Sequence, residues 1–254
     1  MVIVNTDVTV ILNGYKRPHV LREQYNAVMA QTIKPREVMF WHNHSDVAGE
    51  FDKEIVDGCV SFVGNSNLGV WSRFAFALMA KTKYVCIFDD DTVPGNRWLE
   101  NCYEHNKVNR GLYGTVGIIF ESPRGYNGPY CRVGWPSAND SLEKVDMVGH
   151  SWFFEKELLT AFWRELADPK FIKCGEDMHF SYTLQKYMGI ETFVPPHPIG
   201  DLSLWGSAPD KAVKYGTESC AVSNPGNMQS AVNMNEYIML ARGNGYRFVR
   251  ERYR

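Results

Sequence analysis

Four short runs of apolar, β-branched or aromatic residues punctuate the first ninety positions: Val8-Thr9-Val10-Ile11-Leu12, Glu37 to Trp41, Val60-Ser61-Phe62-Val63 and Tyr84-Val85-Cys86-Ile87-Phe88. Each is bounded by turn residues and predicts a strand. Between them, Leu21 to Gln31 carries Leu21, Tyr25, Val28 and Met29 at helical spacing, and Val70 to Ala80 carries Trp71, Phe74 or Ala75, and Leu78 in the same way. Strands alternating with helices predict a parallel sheet flanked by helices. The loops that follow such strands open on one edge of the sheet, which brings Tyr15, Asn43, Asn67 and Asp89 to one crevice.

The second half is less regular. Gly95 to Val108 predicts a helix with Trp98, Leu99, Cys102 and Tyr103 inward, and Leu112 to Phe120 a strand. Ser122 to Asn139, rich in Pro, Gly and Tyr, predicts a long loop or small hairpin. Val145 to Phe154 predicts another strand, Glu155 to Glu165 and Met178 to Met188 helices, and Glu191 to Val194 a last strand stopped by Pro195-Pro196-His197-Pro198. From Gly200 the apolar rhythm weakens, so a soft boundary falls near residue 200; Gln229 to Arg242 then reads as helical, and the terminal segment mixes arginines with aromatics.

Composition narrows the class. The chain has 254 residues, 44% hydrophobic and 22% charged, enough for one large domain or one domain with an extension. A net charge of -2 provides no overall field favouring nucleic acid or an anionic membrane. The six cysteines, Cys59, Cys86, Cys102, Cys131, Cys174 and Cys220, include no C-x-x-C pair and read as reduced, buried thiols. The start lacks a basic and apolar leader, and no run of about 18 apolar residues exists, so the expectation is a soluble, cytoplasmic protein with no transmembrane segment.

The candidate chemistry begins where the fourth run ends, in Asp89-Asp90-Asp91. Three adjacent carboxylates repel one another unless water or a cation screens them, and hard oxygen ligands suit Mg²⁺ or Mn²⁺. An extended backbone would point Asp89 and Asp91 one way and Asp90 the other. A solvated acidic turn is the plain alternative. Far downstream, Gly175-Glu176-Asp177 opens a helix, whose N-terminus favours negative charge and would keep Asp177 ionised.

In their order along the chain these segments resemble the inverting glycosyltransferases of the GT-A fold, close to family 2. Val10 to Pro18 is similar to that family's opening strand and loop, Glu37 to Asp46 to its second strand and base-binding loop, and Asn67-Leu68-Gly69 through Arg73 to its N-x-G-x-x-x-R/N segment. Phe88-Asp89-Asp90-Asp91 resembles its D-x-D motif, Gly175-Glu176-Asp177 its E-D motif, and His197 sits where a metal-binding histidine often lies. The matches span residues 8 to 200.

The resemblance implies an α/β GT-A fold, with a mostly parallel central sheet flanked by helices over residues 1–200. Residues 201–254 would form a C-terminal extension, acceptor-binding or lid-like. It implies a divalent metal, Mn²⁺ or Mg²⁺, held by Asp89, Asp91 and His197 against the diphosphate of a nucleotide sugar. Asp177 would be the catalytic base, with Glu176 orienting a neighbour or holding the acceptor. Gly14, Tyr15 and Arg17 would surround base and phosphates, with Asn67, Gly69, Arg73 and Asp90 near the nucleotide or sugar. The family commonly reads uracil with an Asp at the end of strand two; here Asn43 stands instead and can still donate and accept. UDP is the implied nucleotide. His150 and Trp152 are read either as core or as acceptor-site residues.

A glycan is the first acceptor expected, since aromatics suit sugar faces. The same chemistry on a hydroxylated base of DNA, as in some phage enzymes, is an alternative raised by the terminal Arg/aromatic segment. A non-catalytic nucleotide-sugar-binding module and a carboxylate-pair hydrolase are weaker alternatives.

Overall fold

The computed structural model describes residues 7–166, 168–219 and 228–253. The first part alternates as its sequence predicts: β1 (Val8–Gly14), α1 (Leu21–Met29), β2 (Glu37–His42), α2 (Lys53–Gly58), β3 (Val60–Val63), α3 (Ser72–Phe76), β4 (Tyr84–Phe88) and α4 (Trp98–Val108). Then follow β5 (Gly111–Tyr113), β6 (Val116–Phe120), β7 (Tyr130–Gly134), β8 (Glu143–Val145), β9 (Met147–Gly149), β10 (Ser151–Glu155), α5 (Leu159–Phe162), α6 (Glu176–Met188), β11 (Glu191–Val194), α7 (Pro209–Gly216), α8 (Met228–Gly243) and α9 (Val249–Arg252).

Eight strands form the central sheet, in the order β3-β2-β1-β4-β10-β5-β11-β8. The first four are mutually parallel; β10 runs antiparallel to β4 and β5, β11 parallel to β5, and β8 antiparallel to β11. A second, antiparallel sheet has the order β7-β6-β9.

Alternation along the strands loads both faces of the central sheet. Val8, Val10, Leu12, Tyr84, Cys86 and Phe88 pack with α1 and α4 on one side. Ile11, Val85 and Ile87 pack with residues of α3, α5, α6 and α8 on the other. Strands buried on both faces read as continuous apolar runs, which is why these two were visible. In α3, Phe74 faces the core and Leu78, expected inward, lies 50% exposed, because the helix tightens into a 3₁₀ turn at Ala77–Met79 and loses its 3.6-residue phase. Met29, also expected inward, is exposed at the end of α1, where Gln24 is buried instead.

Two single strands expected from sequence are each broken across the two sheets. Leu112 to Phe120 divides between β5 and β6 at Gly114-Thr115, and Val145 to Phe154 gives β8, β9 and β10. A Cβ at Gly114 would lie 2.4 Å from the Val148 side chain and 2.7 Å from the Ser151 carbonyl, so the crossing is possible only with glycine there. At the second break His150 adopts φ +66°, and the Thr115 and Ser151 hydroxyls pair at 2.7 Å between the two crossings. The segment expected to be a loop or hairpin contributes β7, paired with β6.

The extension expected after residue 200 does not stand apart among the described residues. Tyr237, Ile238, Ala241, Tyr246, Phe248 and Val249 are buried in the same core as α3 and α6. Asp146, fully buried, fastens this segment: its carboxylate accepts the Phe120 and Val249 N–H groups, both at 2.7 Å, and its carbonyl accepts the Tyr246 hydroxyl at 2.8 Å. Cys59, Cys86, Cys102, Cys131 and Cys174 are free thiols; Cys220 lies outside the described residues.

Candidate active site

The acidic triplet follows β4 at the edge of the central sheet, but as a turn: the Thr92 N–H donates to the Asp89 carbonyl at 3.1 Å. The alternation expected of an extended segment therefore fails. Asp90 and Asp91 both reach Arg17, at 2.7 and 3.6 Å, and Asp90 also accepts the Lys16 N–H at 3.0 Å. Asp89 turns instead to Arg73, at 2.7 Å. Gln24 of α1 holds the turn by donating to the carbonyls of Asp89 (2.6 Å) and Thr92 (2.7 Å). It was not expected to take part, and its one sequence signal is a polar residue on the inner face between Leu21 and Val28.

Arg73 joins this turn to the E-D segment. It is buried, with one nitrogen on Asp89 and another 2.7 Å from Glu176, and its guanidinium lies 4.2 Å from the centre of the Trp152 ring. Cation and indole attract in that geometry. Trp152, for which the sequence leaves core and acceptor site open, is a core residue here, 1% exposed, and serves as the floor under Arg73. Glu176 is likewise buried, with one carboxylate oxygen on Arg73.

Asp177 follows at the first turn of α6, half-buried, with Oδ1 buried and unpartnered. Burial, then the charges of Glu176 and Asp89, push its carboxyl well above the ordinary range, and Arg73 opposes them. Desolvation and like charges therefore act against the helix N-terminus, which favours the charged form of this carboxyl. Burial also raises Asp89, and raises Asp90 to about 6. Burial opposes ionisation of Asp91 as well, but His150, Arg17 and Thr92 hold it down at about 2.

The loops after β1, β2 and β3 meet beside this centre. The Asn67 amide donates to the Tyr15 hydroxyl at 2.9 Å, and its oxygen accepts from Asn43 Nδ2 (3.0 Å) and the Gly69 N–H (2.9 Å). Asn43 in turn accepts the Leu68 N–H at 2.8 Å. Asn43, expected to read the nucleobase, is buried with its carbonyl and amide engaged, and so braces the loop. Gly69 has φ +77°, and a Cβ there would stand 2.0 Å from the Ile172 carbonyl oxygen, so this position excludes side chains. Gly14 lies against the Phe40 and Phe51 rings.

Arg17 also reaches across to the C-terminal segment, donating to the Tyr215 carbonyl at 3.1 Å and pairing with Glu218 at 3.2 Å. Nothing in the local sequence joins these positions.

The structure does not bring His197 to the aspartates. The ring is fully buried between Trp98 and Trp205, Nδ1 donates to the Pro195 carbonyl at 2.8 Å, and Nε2 accepts the Gly206 N–H at 3.1 Å. With both nitrogens engaged and burial lowering its pKa to about 4, it is a structural histidine, and its expected role as a metal ligand is withdrawn. The histidine that does face the triplet is His150, whose Nδ1 lies 3.6 Å from Asp91.

A divalent cation is consistent with the donor set without being built in. Among the described residues no three His, Cys, Asp or Glu side chains converge as a metal cluster. Mg²⁺-type sites commonly use one or two carboxylates, with substrate phosphates and water completing the shell. Asp89 and Asp91 supply such carboxylates, with Asp89 Oδ1 on Arg73 and Asp91 Oδ1 accepting the Thr92 hydroxyl.

This arrangement is a GT-A-type fold, with a parallel half-sheet whose loops and acidic turn face the start of α6. No protein-family model and no curated protein sequence matches the chain. Solved structures do. The chain is similar to S. aureus TarS: a 1–349 fragment in complex with UDP aligns over 76% of this chain and 59% of its own, at 17% identity and a TM-score of 0.53. The same fragment with UDP-GlcNAc aligns over 92% of this chain and 72% of its own, at 15% identity and a TM-score of 0.50. A further TarS structure aligns over 75% of this chain, at 14% identity and a TM-score of 0.53, and the chain spans 37% of that protein's length. At these identities the likeness establishes the fold. No helix among the described residues is long and apolar enough to cross a membrane.

Proposed function

We propose that this chain is a metal-dependent, inverting glycosyltransferase that moves a sugar from a nucleotide sugar, UDP-linked in the first instance, to a hydroxyl of a glycan acceptor. The observation that carries the reading is Arg73, which ties Asp89 after β4 to Glu176 at the start of α6, so that the D-x-D-like and E-D-like segments lie side by side. The UDP and UDP-GlcNAc complexes of TarS support the choice of donor class.

In this reading Asp177 takes the proton of the attacking hydroxyl. Its unpartnered oxygen is available for that proton, and its raised pKa brings its basicity nearer to neutral pH. Glu176, held by Arg73, fixes the helix start and thereby the direction of Asp177. Asp89 and Asp91 would hold the divalent cation, which when bound neutralises charge on the departing diphosphate. Tyr15, Arg17, Asn67 and the Gly14 and Gly69 backbones line the donor side, and Arg17 adds positive charge beside Asp90. One base and direct displacement give inversion at the sugar carbon.

The DNA alternative rested on the terminal arginines, of which Arg252 is spent on Glu191 at 2.5 Å, and Arg242 nearby on Glu251 at 2.9 Å. No observation favours DNA over a glycan.

The test is a thermal-shift screen of nucleotide sugars with and without Mn²⁺ or Mg²⁺, followed by a transfer assay with the ligands that stabilise. A ligand that binds only the native state raises the melting temperature. Stabilisation by a nucleotide sugar that increases with metal is expected. Indifference to every nucleotide sugar would refute the reading.

A further inference from the structure

The stretch 122–139, which contributes β7, contains two arginines and no acidic residue. Both arginines, Arg124 and Arg132, are exposed. Among the described residues neither guanidinium enters a hydrogen bond, an ion pair or a ring contact. Arg17 and Arg73 differ in this respect, since both are buried and spent on carboxylates of the chain itself. The charges of Arg124 and Arg132 therefore remain available to something outside the chain.

The register of the second sheet places Arg132. Opposed residues of an antiparallel pair share a face, as do residues two apart on one strand. Arg132 opposes Ile118, and Gly134 opposes Val116, which in turn opposes Gly149. Arg132 and Gly149 thus lie on one face of this sheet. That face meets the proposed base: a Cβ on Gly149 would stand 3.6 Å from Asp177 Oδ2. Tyr130, two residues before Arg132, is on the same face and 41% exposed. The Tyr126 ring stands against it, 5.1 Å between centres and at 90°. Tyr126 is fixed there by its N–H, which donates to Asn235 Oδ1 of α8 at 2.8 Å. Burial first, then the charge of Asp177, raises the Tyr126 hydroxyl, and Arg132 opposes them, so the phenol feels both charges. After β7, Trp135 lies against His150 at 5.5 Å between ring centres.

We propose that Arg132, with Arg124 outside it, receives an anionic group of the acceptor, and that the acceptor is an acidic glycan bearing carboxylate or phosphate groups. This assignment rests on the transferase reading above and deepens it by naming the acceptor class. A guanidinium is a planar fork that matches carboxylate and phosphate oxygens two at a time. The reaction centre itself is lined by Asp89, Asp90, Asp91, Glu176 and Asp177, which repel an anion. A free cation on the Asp177 side offsets that repulsion and selects charged acceptors over uncharged ones. Tyr126 and Tyr130 add apolar ring surface with a polar tip, which suits a sugar. Nucleic acid fits less well. The net charge is -2, two arginines do not make a row that tracks a phosphate backbone, and rings at 90° offer no parallel ladder for successive bases.

The experiment is sugar transfer by the full chain, with the nucleotide sugar that stabilises it, to four acceptors: an uncharged gluco-oligosaccharide, an oligogalacturonide, a phosphorylated mannan and a single-stranded DNA oligonucleotide. The second and third separate carboxylate from phosphate. Arg132 is exposed on the edge strand of its sheet, so Arg132→Gln removes the charge without disturbing the core; Arg132→Lys, which keeps the charge and loses the fork, is its check. The parent should use at least one charged glycan with a kcat/KM about tenfold or more above that of the uncharged one. R132Q should lose about 10- to 100-fold on that glycan, mainly through KM, with R132K between the two. UDP affinity should stay within about twofold, because the arginine serves the acceptor and not the donor. Equal use of the uncharged glycan, transfer to no charged glycan, preference for DNA, or R132Q acting on the charged glycan like the parent would each overturn this assignment and leave the transferase reading in place. A loss of UDP affinity in R132Q would do the same by moving the arginine to the donor diphosphate. If no nucleotide sugar binds the parent, the reading and the acceptor class fall together.

Discussion

Asp146 and Asp177 are two buried acids in regions that treat them in opposite ways. At the junction of the second sheet with the C-terminal segment, both Asp146 oxygens accept backbone N–H groups, from Phe120 and Val249. At the charged edge, Asp177 Oδ1 has no partner, although Glu176, Asp89 and Arg73 surround it. Both carboxyls are raised above the ordinary range, first by burial. The shift alone does not separate a fastening from a working group; the state of the hydrogen bonds does. A satisfied buried acid fixes structure, whereas an unsatisfied one beside other charges is held at a cost that a reaction can explain.

The sharpest way to break this comparison is Asp177→Asn. Transfer should fall by roughly 10²–10⁴-fold, with nucleotide-sugar binding and melting temperature near the parent's. Transfer at the parent rate would remove Asp177 from the role of base. In the parent, kcat/KM should decline as pH falls through the base's pKa, at a pH above the usual carboxylate range, and initial rates against pH would show it.

Arg73→Met tests the charged edge as a unit. It leaves Asp89 and Glu176 buried without their shared cation, and should cost about 3–5 kcal/mol of stability, read by denaturant unfolding. A cost under about 1 kcal/mol would mean that water already screens the two acids.

Asp146→Asn tests the other region through pH. The folded pKa of Asp146 is raised to about 6, so its protonated form is the one that favours folding. The associated stability is fully present below the unfolded pKa of about 4, and is lost as pH rises through about 6, by up to about 3 kcal/mol. Glu251 and Arg252 also act on this carboxyl, in opposite senses. The asparagine variant should flatten the stability profile between pH 4 and 6 relative to the parent while transfer is retained. An unchanged profile would assign the titration elsewhere.

The smallest effect is expected from His197→Gln. Mn²⁺ affinity should be unchanged within twofold, because the ring is spent on Pro195 and Gly206; a tenfold loss would restore His197 to the metal.

The chain itself determined its first four strands, the helices between them and the order of the motifs, since these depend on contacts a few residues apart. Apolar runs of period two and stripes of period 3.6 are local properties, and an acidic triplet placed after a buried strand falls at the sheet edge in any parallel α/β fold. Only the tertiary structure decided how the side chains there are used. Arg73 meets Glu176 across 103 residues, and Arg17 meets Tyr215 across 198. No local pattern encodes such pairings. The same holds for the two histidines: His197 matched a familiar position, yet packing enclosed it, while His150, ambiguous in sequence, was turned towards Asp91 by a strand changing sheets. Side-chain chemistry follows from which neighbours remain unpaired after folding, and that is settled by long-range packing rather than by residue type or spacing.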